Sequence, residues 1–163
     1  MRHSFAPFGA VGMTFLSEAT GIDYSRTDFR SERWLCVSAY DADDVLMGLC
    51  CFEFVSRYEA YFNIAVLDPR CATRRVMRAM FRAAFSRVVR ITAEIDPNNE
   101  RALRLAQRMG FVIEGYKRLA REGRWDAIQL GMTKDTCRFL DARQRPPQAA
   151  QRGDFDEQHP EGA

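Results

Sequence analysis

The chain has 163 residues, 47% of them apolar, and a formal net charge of +2. That is the length of one domain with enough apolar content for a single core, so no second domain is needed. The near balance of charge disfavours nucleic acid or an anionic membrane as a partner of the chain as a whole.

No apolar run is long enough to span a bilayer, and the first residues lack the basic, apolar and small-residue progression of a secretion signal; the expectation is a cytoplasmic protein with no membrane partner. Only Lys117 and Lys134 are lysine among the 24 basic residues, which reads first as a GC-rich coding genome and second as avoidance of self-modification. Cys36, Cys50, Cys51, Cys71 and Cys137 form an odd set without metal-ligand spacing and read as buried thiols of a reducing compartment, Cys50 and Cys51 facing opposite sides of a strand. Histidine occurs only as His3 and His159, near the two ends. Ser-His-Asp chemistry, papain-like chemistry and histidine-based zinc sites are thereby set aside, and no metal is expected.

In chain order, residues 1–32 carry Phe5, Phe8, Val11, Met13, Phe15 and Leu16 among glycines and polar residues. They are expected to pack on the domain through short helical or irregular segments. Residues 34–40, 45–55 and 59–67 read as strands separated by turns at 41–44 and 56–58, an antiparallel meander. A helix is expected over 71–87, with Val76, Met77, Met80, Phe81, Ala84 and Phe85 on one face and Arg74, Arg78 and Arg82 on the other. That arginine stripe reads first as a solvated face and second as a phosphate-backbone contact.

The clearest unit runs from Ile91 to Phe111. Val89, Ile91, Ala93 and Ile95 alternate as in a half-buried strand, and Asp96-Pro97-Asn98-Asn99 supplies caps and a proline for a helix start. Ala102, Leu105, Ala106 and Met109 then share one helical face, and Gly110 closes the helix. Residues 111–120 and 125–133 read as a hairpin across a turn at 121–124. Beyond Leu140 the composition turns to Asp, Arg, Gln, Pro and Gly, so the expected division is one domain over 1–140 and a disordered polar tail over 141–163.

Asn99, Gly110 and Phe111, followed by Glu114-Gly115-Tyr116 and the closing Gly131-Met132-Thr133-Lys134, resemble the second half of the GNAT acetyltransferase superfamily. The resemblance implies an α+β fold: a mixed sheet of three antiparallel strands, helix, strand, helix and two strands, with helices on both faces. It implies acetyl transfer from acetyl-CoA, as co-substrate, to an amine acceptor that is a small molecule or a protein. The donor's pantetheine arm would lie in a wedge between 61–67 and 89–95, held by the backbone at Ala65, Val66 and Leu67 and by Asn99. Glu59 and Glu94 are the candidate bases, and Tyr116 and Tyr61 the candidate acids. Each has a plainer use as well: a solvated strand carboxylate, a packed tyrosine, or, for Asn99, a helix cap.

Two departures bear on activity. The family's Gln/Arg-x-x-Gly-x-Gly/Ala pyrophosphate loop is replaced by Asp68-Pro69-Arg70-Cys71-Ala72-Thr73-Arg74-Arg75, without a glycine. Arg70, Arg74 and Arg75 would then have to bind the anion through side chains. Ala102 and Ala106 stand where relatives often carry a serine or tyrosine near the leaving sulfur. The second reading is therefore a catalytically inactive GNAT-like structural or interaction module with a protein partner or a second copy of itself, in the host cytoplasm or the virion of a phage.

Overall fold

The computed structural model describes residues 2–121, 123 and 125–141. The chain runs β1 (Arg2–Ser4), α1 (Ala10–Thr20), β2 (Trp34–Tyr40), β3 (Leu46–Phe54), β4 (Glu59–Val66), α2 (Arg74–Phe85), β5 (Arg90–Ile95), α3 (Glu100–Met109), β6 (Val112–Arg121) and β7 (Trp125–Thr133). All seven strands form one sheet in the order β1-β2-β3-β4-β5-β7-β6. Every neighbouring pair is antiparallel except β4 and β5, which are parallel. The expected mixed α+β arrangement, with helices on both faces, is the arrangement found.

Local chemistry sets the element ends. The Thr73 hydroxyl accepts the Val76 N–H at 3.3 Å and starts α2, and Asn99 Oδ1 accepts the Ala102 N–H at 3.0 Å and starts α3. Gly110 takes φ 104°, and its N–H closes α3 on Ala106 and Gln107. Two expectations need correction. The helix expected from Cys71 begins at Arg74, because Asp68 caps a separate 3₁₀ turn, Pro69–Cys71, through the Arg70 N–H at 2.9 Å. The opening segment is not wholly helical or irregular: Arg2–Ser4 pairs with β2 as the outermost strand, a run too short to show a period of two. Glu122 and Arg124 of the expected turn and residues 142–163 of the expected tail lie outside the described residues.

The sheet separates two apolar layers. On one face α2 and α3 pack over Phe52, Phe62, Ile91, Ala93 and Leu130, and Phe111 stacks on Phe62 with ring centroids 5.8 Å apart. Phe81 stacks on Phe139 at 5.3 Å, so the residues that follow β7 close this layer. On the other face α1 packs over β3 and β4, with Leu16, Tyr24 and Phe29 against Cys36, Leu49, Cys51 and Ala65. Cys50 belongs to the first layer and Cys51 to the second, as strand alternation requires, and all five cysteines are buried thiols outside any disulfide. No described helix is long and apolar enough to cross a membrane.

Phe111 joins the end of α3 to the main core at 3% exposure. Phe111→Ala is expected to lower unfolding free energy by about 3–4 kcal/mol, read as a lower midpoint in urea with an unchanged slope.

Candidate functional site

The parallel pair β4–β5 is joined over three residue pairs only, Glu59↔Arg90, Ala60↔Ile91 and Tyr61↔Thr92. From Phe62 onward β4 keeps only its outer neighbour β3, and from Ala93 onward β5 keeps only β7. The chain after β4 is drawn away from β5, because the N–H groups of Leu67 and Asp68 both donate to Met47 O, at 2.9 and 2.8 Å. A wedge opens between the strands, a cavity of about 230 Å³ whose walls are the backbone of Phe62–Val66 and Ala93–Ile95. Its floor is the Ala102, Leu105, Ala106 and Met109 face of α3, and Ala19, Thr20 and Ile22 border it from the α1 side. Small side chains on α3 keep the floor low, and the inner strand edges turn main-chain donors and acceptors toward the gap.

At the closed end of the wedge, polar side chains gather into two chains of contacts. In the first, Glu59 Oε1 accepts from the hydroxyl of fully buried Thr92 at 2.5 Å and from Arg90 Nε at 3.3 Å. Arg90 then donates through both Nη atoms to the Glu114 carboxylate, at 3.0 Å through Nη1. That carboxylate lies across Gly131, where any Cβ would collide with it. In the second, Lys117 Nζ donates to Glu94 Oε1 and stands 5.9 Å over the Tyr61 ring. Burial, and then the charge of Glu94, push the Tyr61 hydroxyl above its ordinary pKa, so it keeps its proton.

The structure brings some of the expected residues together and scatters others. Ala65, Val66, Glu94 and Asn99 line the wedge, and Tyr61 is the last paired residue before it opens. Glu59 sits on the closed side of that point, engaged with Arg90 and Thr92. Leu67 has turned out of the wedge toward β3. Asn99 uses its Oδ1 as the α3 cap. Tyr116 is 58% exposed on β6, the edge strand opposite β1, away from the cavity. Arg70 is held by Asp68 at 2.6 Å, and Arg74 and Arg75 line a separate groove beside His3 and Phe5.

The loop between β4 and α2 does not offer a nest of amides. The N–H groups of Arg70, Cys71, Ala72 and Thr73 bond to Asp68 Oδ1, Asp68 O, Pro69 O and Cys71 O within the loop. Cys71 packs down on β3 so tightly that a Cβ on Gly48 would meet its Sγ at 2.8 Å. Ala102 and Ala106 do line the cavity, and neither can donate a proton. Sequence reasoning passed over Lys117, Arg90, Thr92 and Glu114. Lys117 did carry a signal, being one of two lysines in a chain that otherwise uses arginine.

No family model matches the sequence, and no curated protein matches it either. Solved structures do. A putative acetyltransferase from Acinetobacter baylyi superposes with a TM-score of 0.60 at 18% identity, over 83% of this chain and 94% of that one. A variant of the spermidine N-acetyltransferase SpeG from Vibrio cholerae gives 0.59 at 16% identity, over 85% and 96%. The ribosomal-protein-S5-alanine acetyltransferase from Vibrio fischeri gives 0.51 at 21% identity, over 63% of each chain. The chain has the fold of the GNAT acetyltransferases, in a divergent form.

Glu114 is held below its ordinary carboxyl pKa of 4.5, chiefly by the hydrogen bonds from Arg90. A lowered folded-state pKa contributes stability above the ordinary value, and that contribution is lost as the pH falls through the folded one. The site is about one-third exposed (34%), so Glu114→Gln should cost no more than about 1 kcal/mol at pH 7. The gap between the two melting temperatures should narrow as the pH drops below 4.5 in calorimetry.

Proposed function

We propose that the chain is an N-acetyltransferase that uses acetyl-CoA as donor and an amine, on a small molecule or a protein, as acceptor. The observation that carries this reading is the parting of β4 from β5. The exposed main-chain groups of 62–66 and 93–95 suit an extended arm containing amides, and the small side chains of Ala65, Ala93, Ala102 and Ala106 leave room for it.

The roles follow from the closed end of the wedge. Main-chain N–H groups just past Tyr61 stand where a thioester carbonyl would need polarising. Glu94, lining the cavity, takes the proton released as the acceptor nitrogen bonds to the carbonyl carbon, directly or through water. Tyr61, which keeps its proton, donates it to the sulfur as the carbon–sulfur bond breaks. Lys117 holds Glu94 in place beside Tyr61. Spermidine, the acceptor named for the SpeG structure, is a reasonable first amine to assay.

The second reading is a GNAT-like module that no longer catalyses and works through a protein partner or a second copy of itself. What favours it is the loop at 68–73, whose amides are engaged internally and so leave the donor's pyrophosphate without the usual cradle.

Calorimetric titration with acetyl-CoA and with CoA separates the two readings. Binding is expected, and Ala102→Phe, which fills the wedge from α3, should abolish the heat while leaving the circular dichroism unchanged. Absence of heat at millimolar ligand favours the second reading. With an acceptor in hand, Glu94→Gln and Tyr61→Phe should each lower kcat by about 100-fold with donor KM little changed.

A further inference from the structure

We propose that the groove between β1 and the outer face of α2 binds a single strand of nucleic acid. The groove encloses about 600 Å³ and is lined by Arg74, Arg75, Arg78 and Arg82 on one side and by His3 and Phe5 on the other. It lies at the β1 edge of the sheet, whereas the wedge opens between β4 and β5, so this proposal does not depend on acetyl transfer.

The charges at the start of α2 oppose the helix, whereas Arg82 in its last turn suits the dipole. The helix carries four arginines and no acidic residue, and two of the four, Arg74 and Arg75, stand in its first turn. Cations there oppose the helix dipole, and like charges at i and i+4, as at Arg74, Arg78 and Arg82, repel. The neighbouring α3 differs in having an acid in its first turn, Glu100, which pairs with Arg104 at 2.8 Å. Among the described residues, no carboxylate pairs with Arg74 or Arg75. Arg78 meets Asp141 at 3.1 Å through Nη2, while its Nε is buried without a hydrogen-bond partner among the described residues. An anion in the groove would relieve the repulsion.

The shape selects the class of anion. Positions four apart on a helix rise by about 6 Å, so Arg74, Arg78 and Arg82 form a ladder suited to a linear polyanion more than to a lone phosphate. The facing wall is aromatic: Phe5 is 46% exposed and meets His3 edge to face at 5.7 Å. A charged track for the backbone beside an aromatic surface for the bases is the arrangement by which single strands are held without sequence preference. The overall balance of charge does not reveal this local run of one sign.

The test is fluorescence anisotropy of the full chain with a labelled 12-nucleotide single strand, as DNA and as RNA, at 50 and 200 mM salt. Three phosphate contacts predict affinity about twentyfold weaker at the higher salt, and Arg74→Ala should reduce the slope of log affinity against log salt by about 0.7. Arg78→Lys should keep the slope. Phe5→Ala should weaken binding about tenfold with the slope unchanged. The proposal is overturned by no binding at 100 µM protein in low salt, or by binding that Arg74→Ala and Phe5→Ala leave intact. Competition by polyglutamate as effective as that by unlabelled strand would also overturn it, assigning the groove to an acidic peptide instead.

Discussion

Everything that this chain can do at its centre depends on two parallel strands that stop bonding to each other after Tyr61 and Thr92. A sheet ordinarily satisfies its own backbone, and an interior gap leaves donors and acceptors that need another partner. Three features hold the gap open. The segment after β4 is fastened to Met47 on β3, β5 remains fully paired with β7, and α3 presents alanines where larger side chains would fill the space. A continuous sheet here would have the same topology and no site.

The polar groups around the gap are matched with some economy. Glu59, Arg90 and Glu114 cross from β4 to β6 by way of Gly131, a position at which any side chain would displace the carboxylate. Lys117 answers Glu94 across β7. These pairings draw four strands together on the face that α1 leaves uncovered, and they fix the side chains nearest the closed end. The α2 face differs in kind, since its charges have one sign and, among the described residues, Arg74 and Arg75 pair with no carboxylate. Such a surface weakens the isolated helix and suits a bound anion.

The loop between β4 and α2 shows how a local change of sequence alters a site while leaving the fold intact. Without glycine, the segment folds as a 3₁₀ turn capped by Asp68 and packed through Cys71 onto Gly48. Its amides turn inward, Arg70 is held by Asp68, and Arg74 and Arg75 line the groove on the β1 side. The helix start moves from Cys71 to Arg74 for the same reason.

Periodicity and punctuation determined the elements: the alternation at Ile91, Ala93 and Ile95, the cap at Asn99 and the stop at Gly110 act within a few residues and are legible without a structure. The candidate site was legible in part, because Glu94, Tyr61, Ala65 and Asn99 lie on those elements and reach the wedge. Lys117, Arg90 and Glu114 were not, since their partners are 23 to 31 residues away and are met only across strands whose register no local pattern states. Tertiary structure alone decided that Tyr61 and Thr92 are the last pair before β4 and β5 part and that the arginines of α2 stand beside the β1 end of the chain, for both follow from how the sheet is paired and how the loop packs against it.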